Sequence, residues 1–169
     1  MTQRQTTARF ISICAIAAVA ALIGCASVQN SPVTLATAAA QQSDLTTFYK
    51  LAQQAGLNDV LNGSSSMTVF APTNEAFQAV PAATLDKLAK DPEQLKAVLS
   101  YHIIPGHVLA ADIKENTTLT TLSGAKLGVS KAGDFVTVDD GMVSQADIKT
   151  NNGIIHKIDR VLTPPAVKK

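Results

Sequence analysis

Cysteine is almost absent from this 169-residue chain, and both copies, Cys14 and Cys25, fall near its start. Everything after residue 25 therefore folds without a disulfide or a thiolate-held metal. Tryptophan is missing, and five Phe and two Tyr are the only aromatic residues. Charge is sparse, at 16% of residues, and nearly balanced, with a formal net charge of +1. No basic stripe interrupts that balance, which argues against a nucleic-acid partner. The chain also lacks a G-x-S-x-G elbow, a P-loop, a G-x-G-x-x-G turn and an H-E-x-x-H helix. The familiar signatures of hydrolases, nucleotide-binding enzymes and metalloproteases are thus missing, and a non-enzymatic protein without a cofactor is expected.

The longest apolar run, residues 10–23, follows a polar start that contains Arg4 and Arg9 and no acid. It is too short to span a bilayer comfortably as a helix, and it suits the core of a signal peptide. Leu22-Ile23-Gly24-Cys25 directly after it resembles a bacterial lipobox, in which cleavage precedes a cysteine that is then acylated. The alternatives are an ordinary secretory signal or an uncleaved anchor. On the lipobox reading residues 1–24 are removed, and Cys25 carries the acyl chains that hold the protein on a membrane; two or more chains anchor stably. Without Arg4 and Arg9, 12 basic residues face 13 acidic ones. Residues 26–42 hold Ser, Thr, Ala, Gln, Asn and Pro32, without charge, and read as a flexible tether with a root-mean-square span of about 20–25 Å. Ala26 and Ser27 follow the cysteine, and no aspartate does. By resemblance to enteric sorting rules this favours the outer membrane or cell surface, if the host is Gram-negative.

Residues 68–77, TVFAPTNEAF, organise the rest. Met67, Val69 and Ala71 alternate with Thr68 and Phe70, the period of a strand. Pro72 closes that strand because it offers no N–H. Thr73 or Asn74 then caps a helix opening on Glu75, Ala76 and Phe77. Before this unit, Leu45, Phe48, Leu51, Ala52 and Ala55 predict a helix that starts at Ser43 or Asp44 and ends at Gly56. After it, Thr84 is placed to cap a short helix with Leu85 and Leu88. Asp91-Pro92-Glu93-Gln94 opens another, with an acidic cap, proline at the first helical position and a glutamine reaching back. Leu95, Val98 and Leu99 form its apolar face. From Pro105 the pattern changes to short apolar runs broken by Gly124, Gly133-Asp134, Asp140-Gly141 and Asn152-Gly153, which indicates antiparallel strands. Phe135, Val136 and Val138 make up one such run. Helices first and strands second specify an α+β fold in residues 43–165, with a short tail at 166–169.

Three stretches in order, residues 68–77, Tyr101-His102-Ile103-Ile104-Pro105-Gly106, and residues 152–164 (NGIIHKIDRVLTP), resemble the motifs of fasciclin domains. Ala55-Gly56-Leu57 and Thr121-Leu122-Ser123-Gly124 extend the resemblance over about residues 41–165. It implies a twisted β wedge packed against several short helices, and a single stand-alone domain. It also implies an adhesion or matrix-interaction module whose partner is a polysaccharide, a matrix protein or another cell surface. A second implied role is carriage of a lipophilic small molecule such as a carotenoid. No Arg-Gly-Asp is present, so nothing points to an integrin.

In the family the Tyr-His segment has been linked to receptor recognition, so Tyr101, His102, Ile103, Ile104 and His107 form the expected interaction patch. The competing reading makes His102 a partly buried residue that orients its turn. Along the last strand Ile154, His156 and Ile158 share one face and Lys157 lies on the other, which makes His156 a satisfied core residue. Asn74 is expected to act as a cap, and Asp139-Asp140 before Gly141 as turn formers. The spacing of the three histidines matches no zinc pattern, and no metal is expected. Asn62-Gly63-Ser64 and Asn116-Thr117-Thr118 match the glycosylation pattern, with no modifying enzyme implied in a bacterial lipoprotein. A monomer is expected, with attachment that depends weakly on salt.

Overall fold

The computed structural model describes residues 33–165. The expected signal segment, Cys25 and the expected tail lie outside them. The elements run α1 (Leu35–Gln41), a 3₁₀ turn (Ser43–Leu45), α2 (Thr46–Gln54), α3 (Asn58–Asn62), β1 (Met67–Pro72), α4 (Asn74–Gln78), α5 (Ala82–Lys90) and α6 (Pro92–Tyr101). The strands β2 (Ile103–Pro105), β3 (Thr117–Thr120), β4 (Lys126–Ala132), β5 (Phe135–Val138), β6 (Gly141–Thr150) and β7 (Gly153–Ile158) follow. Apart from β1, which lies between α3 and α4, the helices precede the strands, so the fold is α+β.

One seven-stranded sheet has the order β2-β1-β7-β6-β5-β4-β3. All neighbours are antiparallel except β1 and β7, which run parallel from Met67 opposite Gly153 to Pro72 opposite Ile158. That pair joins the first and last strands of the domain, a connection that the turn pattern, which marks only antiparallel neighbours, does not indicate. The Leu122 amide, just past β3, donates to the Ile103 carbonyl of β2 (2.7 Å), so the two edges of the sheet approach each other in a wedge.

β1 is buried on both faces, as a strand covered on each side must be. Its alternation feeds two cores: Val69 and Ala71 join the helices, while Phe70 joins Leu127, Val129, Val136 and Val138 from the strands. β2 divides in the same way, Ile103 into the first core and Ile104 into the second.

Three helix expectations change. Residues 35–41, read as tether, form α1, whose Leu35, Ala36, Ala38 and Ala39 are buried in the first core. Small residues on one side of a short helix pack closely without a strong apolar period, which is why the segment reads as linker. Thr84 caps nothing; it lies inside α5, which begins after Pro81. Of the two caps expected for α4, Thr73 is the one that serves, accepting from the Ala76 amide (3.3 Å). At α6 Asp91 accepts from the Glu93 and Gln94 amides, both at 3.1 Å, and Gln94 reaches back to the Asp91 carboxylate (2.7 Å) rather than to its backbone.

Candidate interaction surface

The three motif stretches meet in one hydrogen-bonded knot where α6 passes into β2. Thr68 of β1 donates its hydroxyl to the Gly106 carbonyl (2.8 Å) and accepts from the Val108 amide (2.9 Å). The Phe70 amide donates to the His102 carbonyl (2.9 Å). His102, fully buried, receives the Leu162 amide on Nε2 (2.9 Å) and lies 2.8 Å from the Val98 carbonyl through Nδ1. An amide can only donate, so the neutral ring carries its proton on Nδ1 and gives it to Val98. Burial pushes its pKa down to about 4, against the raising effect of the Val98 bond.

His156 takes the opposite tautomer. Its Nδ1 accepts from the Asp147 amide (3.2 Å), and Nε2 donates to the Val108 carbonyl (2.8 Å). The ring stacks on Phe70, centroids 5.2 Å apart. Burial lowers its pKa as well, opposed by the Val108 bond and the Asp147 charge. Tyr101 is buried, with its hydroxyl donating to the Asp139 carboxylate (2.7 Å) and close to the Lys126 carbonyl (3.1 Å). Burial raises its pKa, and the Asp139 bond and charge raise it further. Asp139 is a turn residue at φ 46° whose other carboxylate oxygen accepts from Gly128 (2.9 Å).

The expected patch therefore divides. Tyr101, His102, Ile103 and Ile104 are all buried, and in this conformation they present no surface to a partner. The apolar run that made them look like a sticky patch is the entry into both cores. Of the five, only His107 is exposed. Lys157 also departs from expectation: it is buried, and its ammonium binds Gln42 Oε1 and Asp44 Oδ2, each at 2.8 Å. α1 and the 3₁₀ turn cover the strand face that the alternation left open.

Asn74 does cap a helix, but a different one. Its Oδ1 accepts from the Thr47 amide (3.0 Å), and its Nδ2 donates to the Ser43 carbonyl (2.9 Å). The residue at the start of α2 is Leu45, which has no side-chain cap of its own. Asn74 thus supplies from α4 what α2 lacks.

Of the large apolar side chains that reach solvent, Leu122 (36% exposed) lies just past β3 beside Ile103, and the two more exposed ones lie elsewhere. Phe135 and Met142 are 65% and 45% exposed. Val136 and Val138 of β5 point into the second core, so parity sends Phe135 and Thr137 outward. Thr137 stands opposite Met142, Ser130 opposite Thr137, and Ala132 opposite Phe135. The result is an outer sheet face with two exposed apolar side chains among small and hydroxylated ones. Beside it a shallow cleft of about 290 Å³ is lined by Asn116, Thr118, Gly128, Ser130 and Thr137 among others. Phe135 stands in one apolar run with its buried neighbours, and strict alternation is the signal that separates them. Among the described residues no group of three His, Cys, Asp or Glu could hold a metal ion, and no helix is long and apolar enough to cross a membrane.

Residues 43–164 match the family model described as Fasciclin domain. The chain is 43% identical over 116 residues to transforming growth factor-beta-induced protein ig-h3 of Sus scrofa, covering 69% of this chain but 17% of that protein. It is 40% identical over 137 residues to the cell surface glycolipoprotein MPB83 of Mycobacterium bovis, covering 78% of this chain and 61% of the other. The fold is similar to that of a FAS1 domain pair from the insect cell adhesion molecule Fasciclin I, with a TM-score of 0.65 at 20% identity, over 78% of this chain and 51% of that one. The chain belongs to the fasciclin domain family.

Proposed function

We propose that this protein is a non-catalytic adhesion module of the cell envelope, held by an acylated Cys25, which meets a matrix or cell-surface partner through the outer face of β4, β5 and β6. The observation that carries the reading is the placement of apolar surface. The motif residues are sealed inside with their polar atoms satisfied, and no buried side-chain nitrogen or oxygen among the described residues lacks a partner. Phe135 and Met142 stand outside. Exposed aromatic and thioether side chains among small residues are typical anchors of protein interfaces. The names of two similar proteins, a cell surface glycolipoprotein and a cell adhesion molecule, support the same setting.

The test is attachment of cells or matrix to the purified protein and to a Phe135→Ser, Met142→Ser variant. The expected result is lost attachment with an unchanged melting temperature, because neither side chain fills a core. Full attachment by the variant would remove this face from the reading.

One observation favours a lipophilic carrier. An apolar cleft under α5 is lined by Leu51, Phe77, Leu85, Leu88, Leu95 and Leu99 among others, and α5 buries no residue fully. The cleft measures about 160 Å³, whereas pockets that enclose drug-sized ligands hold roughly 300–1,000 Å³. A carotenoid fits only if α5 moves away. A visible spectrum and a native mass of protein purified from its own host decide it: a colourless protein without extra bound mass leaves adhesion standing alone.

A further inference from the structure

The segment that ties the domain to its anchor does not leave it where the family-matching region begins. That region starts at residue 43, and Gln42 beside it binds Lys157 near the end of β7. A tether running straight into Gln42 would pull on that end of the sheet. Instead α1 lies back along β7. At its start the Leu35 amide donates to Asn152 Oδ1 (2.8 Å), and the Asn151 amide donates to the Val33 carbonyl (2.9 Å). At its far end Gln42 and Asp44 share the Lys157 ammonium, each at 2.8 Å. Asn152 is held in turn, giving its two amide hydrogens to Leu61 and Gly63 (2.9 and 2.7 Å). The helix is fixed at both ends and buried along its inner side.

Strand register says which end of the sheet this is. Val33 lies beside the start of β7, where Gly153 pairs with Met67 and Met67 with Pro105. The Pro105-Gly106-His107 turn is at that end. At the opposite end Pro72 pairs with Ile158, Val143 with Ile158, and Met142 accepts from the Asp159 amide (3.1 Å). Exposed Arg160 follows there.

We propose that α1 is an orienting strap: it moves the point of tether exit from one end of the sheet to the other. The end with His107 then faces the anchoring membrane, and the end with Met142 and Arg160 faces away. The inference rests on the anchor reading of Cys25. Seven residues, 26–32, lie between Cys25 and Val33, and their eight peptide steps reach at most about 27 Å fully extended. That is short enough for the exit point to bias the domain, whose radius is about 14 Å. The same geometry turns His107, the one exposed residue of the expected patch, toward the membrane, and puts Met142 where an outside partner reaches it.

The test uses the full acylated protein in phosphatidylcholine–phosphatidylglycerol vesicles that carry an energy-transfer acceptor on the headgroups. One sample bears a fluorophore on His107→Cys, the other on Arg160→Cys. Cys25 is blocked by its lipid, so each introduced thiol is labelled alone. Transfer is expected to be about twofold stronger from position 107, because the two labels differ in height by about 17 Å, the length of β7 at about 3.3 Å per residue. In Leu35→Asp, which puts a carboxylate into the contact of α1 with the core, the order should reverse as the exit shifts to Gln42. Equal or reversed transfer in the unmodified strap overturns the proposal, and this comparison stands even where Leu35→Asp fails to fold. An unchanged order in a folded Leu35→Asp overturns the role of α1. Protein that lacks acyl mass and does not float with vesicles fails differently, because it removes the anchor and the orientation together.

Discussion

On the inner side of β1, β2 and β7, the side chains of Thr68, His102, Asn152 and His156 each bond to a different segment of the chain. On the outer side of β4, β5 and β6, Phe135 and Met142 extend into solvent among threonine, serine and alanine. Both regions belong to one sheet, yet they answer to different constraints. The inner knot specifies which strands meet; the outer face can change without disturbing that pairing. Residues that identify the family are therefore poor guides to what this member binds. Substitutions at the knot should lower stability and carry any attachment down with it, whereas substitutions on the face should separate the two.

The hardest way to test the inner knot is Gly153→Ala. A methyl group there would overlap the Met67 carbonyl of the parallel neighbour strand and come within 2.8 Å of Leu35 Cδ1. Overfilling of this kind, against backbone rather than a flexible side chain, should cost about 3 kcal/mol or more. A denaturant titration reads the loss. An unchanged midpoint would mean that β1 and β7 separate freely, and the contrast between the two regions would collapse.

Acid attacks the same region by a different route. His102 has a pKa near 4 in the fold, against 6.5 when unfolded. The unfolded chain therefore takes up the proton first, and stability falls as pH drops from 6.5 toward 4. The contribution present above pH 6.5 and lost by pH 4 is about 3 kcal/mol. His156 shifts in the same direction and adds to the slope. Stability measured across this range should be steep in the native protein and distinctly shallower in His102→Leu. Equal slopes would show that His102 does not titrate with unfolding.

Much of the inner region was legible because local rules and tertiary structure agree there. The alternation of residues 67–71, the break at Pro72, the cap at Asp91 and the turn glycines each specify what the chain does nearby. What the sequence hid depends on contacts between distant segments. Asn74 stands at the start of α4 and reads as its cap, but its partners are Ser43 and Thr47, and no local pattern names them. Residues 35–41 read as tether because alanines carry little periodic signal, although a groove between α2, α3 and β7 buries four of them. Tyr101 to Ile104 read as a surface patch because a family association was attached to a segment whose apolar character marks it as core. Phe135 is hidden in the opposite way, because a run of apolar residues looks like one face of a strand that has two.

Asn74→Ala tests the boundary between the two kinds of region, since the residue is half-buried. Losing the cap of α2 and the bond to Ser43 should cost about 1–2 kcal/mol, seen as a lower melting temperature. Asn74→Asp, which keeps the acceptor and loses the donor, should fall between. A loss for Asp as large as for Ala would mean that the amide donor to Ser43, not the cap of α2, holds the 3₁₀ turn in place.

The smallest expected change in stability is at Phe135, and it is the most informative about function. Phe135→Ser removes a ring that is 65% exposed and opposite Ala132, so the melting free energy should stay within about 0.5 kcal/mol of the original. Its partner residue Val136, buried in the second core, supplies the internal control. Val136→Ala should destabilise by roughly 1–3 kcal/mol while leaving the outer face chemically intact. If the two regions are as separate as their packing indicates, Phe135→Ser loses attachment and keeps its fold. Val136→Ala then keeps attachment at temperatures where it remains folded. A Phe135→Ser protein that melts early would show that the ring is a structural cover for the sheet, and the binding face would have to be sought around Met142 alone.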